Sequence, residues 1–205
     1  MHSRSKAQIR IAKSTDSQAI LDIYAPYIEQ TAITFTSRTP TLGQVTRTMS
    51  DIKRRYPYLV CEFDGEVVGF AYAYRVRPQE AYRWNAELSV YINPDFHGRG
   101  IATALYTALF QLLKAQGYCN LYAVITLPNE ASIALHSHFG FTQCMVQRAC
   151  GYKLGEWRDV LWMEYRVPGA ADPGEHGVPL PLDELNANDV ATVLAMASTL
   201  LNNAQ

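Results

Sequence analysis

Apolar and polar positions alternate with two different periods along this chain, and the switches between them mark its elements. A short apolar strand over residues 9–12 gives way to helical spacing that opens on a capping-box pattern, Thr15-x-x-Gln18, and continues to about Glu29. A second box, Thr41-x-x-Gln44, opens a helix reaching about Arg55, and the intervening 30–40 is rich in Thr and Ser around a single aromatic, Phe35. Strand patterns over 58–63 and 67–75 flank Asp64-Gly65, a hairpin signal, and the polar stretch 76–85 precedes a strand over 86–92. Next come an amphipathic helix over 101–116, a buried-strand pattern over 118–125 and a helix over 130–139 that stops at Gly140. Two long strands follow, 141–152 and 157–167, joined by Lys153-Leu154-Gly155-Glu156. This order predicts an α/β (α+β) fold, with a mixed, mostly antiparallel sheet of about seven strands flanked by about four helices.

Domain bounds follow from composition. Residues 1–8 read as a flexible N-terminus, 9–167 as one domain, 168–182 as a Pro/Gly-rich linker and 183–205 as a C-terminal helix or tail. In that last segment Leu185, Val193, Leu194, Met196, Leu200 and Leu201 form an apolar stripe. It packs on the domain, joins an oligomer or stays disordered.

Hydrophobic content of 48% and charged content of 18% over 205 residues fit a globular chain with a real core. A net charge of −1 gives no electrostatic case for nucleic acid or an anionic membrane. No apolar run approaches the roughly 20 residues that span a bilayer, and the polar, basic start lacks a signal-peptide core. Four cysteines without C-x-x-C spacing read first as buried free thiols in a reducing compartment, so a cytoplasmic location is expected.

The most informative stretch is Asn93-Pro94-Asp95-Phe96-His97-Gly98-Arg99-Gly100-Ile101-Ala102. It joins the strand over 86–92 to the helix over 101–116. A small-residue turn there makes a nest of free N–H groups backed by a helix dipole, suited to a pyrophosphate. The expected cradle is Gly98, Arg99, Gly100, Ile101, Ala102 and Thr103, and a nucleotide-type cofactor follows.

The segment His97-x-x-Gly100-x-Ala102 resembles the Gln/Arg-x-x-Gly-x-Gly/Ala motif of the GNAT superfamily of acyl-CoA-dependent N-acyltransferases. Its surroundings are more specific. Thr34-Phe35, Tyr56-Pro57-x-Leu59-Val60, Asp64-Gly65-x-Val67-Val68-Gly69-x-Ala71-Tyr72, Ala81-Tyr82-x-Trp84-x-x-Glu87, Ser89-Val90-Tyr91, Ala123-Val124-Ile125-x-x-Pro128-Asn129, Leu135-His136 and Gly151-x-Lys153-x-Gly155-x-Trp157-x-Asp159-Val160 resemble the phosphinothricin and methionine sulfoximine N-acetyltransferases. The likeness spans about residues 9–167. It implies a GNAT-like fold, acetyl-CoA as co-substrate, a small amine as acceptor, and a homodimer to which the last hairpin contributes. Two positions depart from the pattern. His97 stands in place of Gln or Arg, and Gln79 stands where phosphinothricin-type members carry Arg, removing a bidentate partner for a carboxylate or phosphinate.

Amine acetylation needs a base, because only the neutral amine attacks. From pattern alone Glu87 reads equally as a surface carboxylate at a strand end; the resemblance implies a general base, acting directly or through water. It also implies that the backbone of Val90, Tyr91 and Ile92 holds the pantetheine arm, one N–H facing the thioester oxygen, with Asn129 and Ser132 alongside. Asn129 by itself reads as an N-cap. His136 occupies the position of a tyrosine acid in many family members, and an imidazolium there would protonate the leaving thiolate. Phe35, Tyr72, Arg75, Arg77, Gln79, Tyr82 and Trp84 are the acceptor-pocket candidates. His97, His136 and His138 do not share the spacing of metal ligands, so no metal is expected.

Rival readings remain: another amine (a different amino acid, a polyamine or a protein N-terminus), or a non-catalytic acyl-CoA sensor, against which Glu87 argues. A Rossmann dehydrogenase would need G-x-G-x-x-G after the first strand, and the turn here follows the fourth.

Overall fold

Hydrogen bonding gathers the period-two segments into one seven-stranded sheet in a computed structural model that describes residues 7–169 and 177–203. The strands are β1 Ala7–Ile11, β2 Tyr58–Phe63, β3 Glu66–Arg75, β4 Asn85–Ile92, β5 Asn120–Thr126, β6 Thr142–Lys153 and β7 Glu156–Arg166, in the spatial order β1-β2-β3-β4-β5-β7-β6. Every adjacent pair is antiparallel except β4 and β5, which run parallel. This is the mixed, mostly antiparallel sheet that the pattern predicts.

Alternation along the strands decides what each face buries. Tyr58, Val60 and Phe70 lie under α1 Ser17–Gln30 and α2 Leu42–Lys53, while Leu59, Cys61, Ala71 and Leu88 lie under α3 Ile101–Gln116. The short α4 Glu130–His138 follows β5. Asp64 (φ 50°) and Gly65 (φ 89°) supply the two left-handed residues of the β2–β3 hairpin. The Thr41 box forms as read, Gln44 N–H donating to Thr41 Oγ1 at 3.3 Å and Thr41 N–H to Gln44 Oε1 at 2.8 Å.

The first helix begins differently. Asp16, not Thr15, takes the cap position: its carboxylate accepts the Lys13 amide at 2.7 Å and pairs with Arg10 at 2.7 Å, so a 3-10 turn over Ser14–Asp16 precedes α1. The cysteine reading holds for Cys61 and Cys119, which are buried, and fails for Cys144 and Cys150, because β6 is an outer strand exposed along most of its length.

The C-terminal segment packs on the domain as α5 Ala187–Asn203. Its inward stripe is Val190, Val193, Leu194, Ala197 and Leu201, at helical spacing, whereas the expected Met196 and Leu200 face outward. It also covers the edge of β1. Asn202 accepts the Ala7 N–H at 3.0 Å and donates to the Ala7 carbonyl at 2.9 Å, and Ser198 accepts the Ile9 N–H at 2.9 Å. Of the expected flexible N-terminus, Ala7 and Gln8 belong to β1 and residues 1–6 lie outside those described, as do 170–176 of the expected linker and 204–205 of the tail.

Candidate active site

β4 and β5 pair only at Asn85 with Asn120, Ala86 with Leu121 and Glu87 with Tyr122, while β3 remains paired with β4 as far as Ile92. Beyond Glu87 the two parallel strands therefore separate, leaving the β5-facing edge of β4 without a strand partner. Leu88, Ser89, Val90 and Tyr91 form one wall of the resulting cleft and Ala123, Val124 and Ile125 the other, with Tyr106, Asn129, Ser132 and His136 across its end.

The glycine turn sits at the end of β4. Gly98 and Gly100 both have φ of 75°, a conformation that side chains resist, and Gly100 begins α3 without a side-chain cap. The first amides of α3, those of Ile101, Ala102 and Thr103, thus face the turn with the helix dipole behind them. Arg99 stacks over Phe96 with its guanidinium 4.8 Å from the ring centre. His97 turns inward, its Nε2 lying 3.0 Å from the Tyr27 hydroxyl and 3.2 Å from the Ile92 carbonyl, which also accepts from Tyr27 at 2.6 Å. The Ile92 carbonyl is thus already bonded within the protein, and His97, exposed overall, reaches Tyr27 through its Nε2.

Glu87 is half-buried on β4, directly across from Tyr74 on β3, whose hydroxyl donates to its carboxylate. Burial pushes the carboxyl above its ordinary range and the Tyr74 bond opposes that shift. On the same face Tyr72 opposes Ser89 and stacks on Tyr58 at 4.9 Å; burial takes its phenol up to about 12.

Asn129 caps α4, accepting the Ser132 N–H at 3.1 Å, as its pattern predicts. His136 is buried in that helix, with Nδ1 2.7 Å from the Ser132 carbonyl and Nε2 3.2 Å from the Tyr106 hydroxyl. A carbonyl only accepts, so Nδ1 carries the proton and Nε2 accepts from Tyr106. Burial lowers the pKa of the ring, against the Ser132 bond that raises it, which works against the imidazolium that the acid step would need.

The acceptor candidates separate in space. Tyr72 and Arg75 line a cavity of about 790 Å³ together with Tyr56, Tyr74, Arg55 and Pro181. Arg77 lies over Tyr82 at 5.5 Å, and Gln79 precedes the turn that carries Tyr82. Trp84 turns away to donate to the Gly177 carbonyl at 2.8 Å. Phe35 sits against Gly151, where an added Cβ would fall 2.1 Å from its ring. Among the described residues no group of three or more His, Cys, Asp or Glu side chains is placed to hold a metal, and no helix is long and apolar enough to cross a membrane.

Sequence reasoning missed Tyr74, Tyr106 and Arg55. Tyr74 was within reach, because it shares a strand face with Tyr72 at i+2. Tyr106 reads as one more apolar-face residue of α3, and only the fold brings it to His136.

Residues 9–162 match the acetyltransferase (GNAT) domain family. The chain is 36% identical to a phosphinothricin N-acetyltransferase of Streptomyces viridochromogenes over 172 residues, covering 83% of this chain and 94% of that one. It is 35% identical to an L-methionine sulfoximine/L-methionine sulfone acetyltransferase of Pseudomonas aeruginosa, covering 78% and 95%. The crystal structure of a GNAT-superfamily phosphinothricin acetyltransferase from Sinorhizobium meliloti, in complex with acetyl-CoA, superposes with a TM-score of 0.80 at 33% identity, covering 84% and 95%.

Proposed function

The chain belongs to the GNAT acetyltransferases, and we propose that it acetylates the amino group of a small amino-acid-like acceptor of the phosphinothricin and methionine sulfoximine kind. The observation that carries this reading is the placement of Glu87, a half-buried carboxylate of raised pKa at the last paired position before β4 and β5 separate.

The residues present fit acetyl-CoA. Two left-handed glycines and the uncapped start of α3 suit a pyrophosphate, and the unpaired edges of the cleft suit an arm that carries amides. Bound there, acetyl-CoA supplies an activated thioester. Glu87 takes a proton from the incoming ammonium, directly or through water, and its raised pKa brings it nearer the working pH. An N–H of the free β4 edge, at Val90 or beside it, stabilises the charge that develops on the carbonyl oxygen. His136 and Tyr106, bonded to each other, form the closed end of the cleft. Asn129 and Ser132, the capped start of α4, line the same end of the cleft.

Exposed Met145, Val146, Tyr152, Leu154 and Trp157 on the β6–β7 hairpin support a homodimer formed through that hairpin. Coenzyme A release from acetyl-CoA tests the enzymatic reading, with phosphinothricin, methionine sulfoximine, common amino acids and a polyamine as acceptors. Turnover of the first two, lowered about 10²-fold or more by Glu87→Gln, is the expected result. Equal rates for both proteins would remove the base.

A further inference from the structure

The segment that follows α1 reaches the cleft between β4 and β5, and the acetyl-transfer step makes no use of it. Thr31 closes the helix: its hydroxyl donates to the Tyr27 carbonyl at 2.7 Å and accepts the Ile33 N–H at 3.2 Å. Thr34 is buried, its hydroxyl 2.9 Å from that of Tyr24, whose ring packs 4.7 Å from Tyr91 of the cleft wall. On either side of Thr34 a large apolar side chain stands open, Ile33 at 40% and Phe35 at 39%. Ile33 lines the cleft, and of the residues that line it Ile33 alone is exposed.

The β6–β7 hairpin grips this segment at two points. Gly151 and Lys153 are two apart on β6 and share a face. Gly151 leaves the space that the Phe35 ring fills, because a Cβ there would fall 2.1 Å from it. Lys153 is buried, donates to the Thr34 carbonyl at 2.6 Å and forms no ion pair among the described residues. An ammonium buried on a carbonyl without a carboxylate adds little to stability, and what it does here is fix the backbone between Ile33 and Phe35. The far end of the cleft is shut by Tyr106 and His136, both buried and 3.2 Å apart, and the space between its walls is about 60 Å³.

We propose that Ile33 sets the length of the acyl group that is transferred. Held at the rim of a narrow cleft whose far end is closed, its branched side chain admits acetyl and stands in the way of further methylenes. One methylene against an apolar wall changes kcat/KM by about 10- to 200-fold, and a wall fixed from the hairpin does not step aside. Lys153 acts through Ile33, as the residue that positions it. The inference rests on the acetyltransferase reading and extends it to the acyl group of the donor.

The test sets acetyl-CoA against butyryl-CoA, with phosphinothricin or methionine sulfoximine as acceptor. Native protein prefers acetyl-CoA, and in Ile33→Ala the ratio of kcat/KM for acetyl-CoA to that for butyryl-CoA falls about tenfold or more. Ile33 is exposed, so this change leaves the core intact. Lys153→Met keeps the stem, loses the ammonium and lowers the same ratio, while Lys153→Arg, still a donor to the Thr34 carbonyl, restores most of it. A native protein that takes butyryl-CoA as readily, or a ratio unchanged in Ile33→Ala, overturns the assignment, and a ratio unchanged in Lys153→Met overturns the positioning role. Calorimetric titration of the two thioesters without acceptor reads the preference apart from turnover. If native protein turns over neither acceptor, the acetylation reading fails, and Ile33 keeps its role only if native protein binds acetyl-CoA at least about tenfold more tightly than butyryl-CoA and Ile33→Ala narrows that gap. Equal binding, or none, overturns it.

Discussion

The Tyr74 hydroxyl donates to the Glu87 carboxylate across the β3–β4 pair, so the proposed base already has a protein donor. Burial favours the neutral acid and this bond favours the carboxylate, and burial prevails. Tyr74→Phe removes the opposing bond and moves the Glu87 pKa higher still. The acid limb of the kcat/KM profile then shifts to higher pH, and activity at pH 7 falls, by less than the about 10²-fold or greater loss in Glu87→Gln. A pH–rate series on the two proteins checks this, and superimposable acid limbs would mean that the bond does not tune the base.

Glu87 also makes the fold less stable than it could be. Its folded pKa is raised, so between its unfolded and folded values the native state binds more protons than the unfolded chain. Stability from this group is present at low pH and lost as pH rises through that window. Glu87→Gln removes the buried charge and raises Tm by a few degrees at pH 8, and the gap closes below about pH 4, where both states of the native carboxyl are protonated. Thermal melts across that range decide it; a variant that melts lower at pH 8 would contradict the sign.

His136 follows the opposite rule. Its folded pKa is lowered, so its contribution is intact above the unfolded value near 6.5 and is lost as pH falls through the folded one. Two results follow. The native protein loses Tm on going from pH 7 to pH 5 more steeply than His136→Gln does. Because burial lowers the pKa of the ring, kcat does not decline between pH 6.5 and pH 8 as it would if an imidazolium were delivering a proton. A falling limb there that disappears in His136→Gln would restore the acid role.

The sequence carried the local parts of this site and not the long-range ones. The turn at Gly98 and Gly100 was legible because a strand, two glycines and a helix follow one another, the order that suits an anion nest. Asn129 and the Thr41 box were legible for the same reason: a cap and its partner lie three residues apart. The Tyr74–Glu87 pair spans 13 positions, the Tyr106–His136 bond 30 and the Gln116–Leu180 bond 64, and no period in the chain announces them. Ile92 shows the limit from the other side. The resemblance made its backbone a candidate ligand, and only the fold brings the Tyr27 hydroxyl from α1, 65 positions away, to its carbonyl.

Tyr152 and Trp157 stand 62% and 64% exposed with their rings 5.3 Å apart near the tip of the β6–β7 hairpin. Large aromatics this open, on an outer strand with Met145 and Val146 also exposed, gain when a second surface covers them. The hairpin is also tied to the acceptor side of the molecule. Lys153 is buried and donates to the Thr34 carbonyl at 2.6 Å, next to Phe35, which packs on Gly151. Trp157→Glu places a charge in the proposed interface without touching these buried contacts. Light scattering on the eluting protein gives a dimer for the native chain and a monomer for the variant, and KM for the acceptor rises in step with the monomer fraction, because the hairpin that shapes the Phe35 loop loses its support. A native monomer would remove the dimer altogether. A monomeric variant with unaltered acceptor KM would separate assembly from the site.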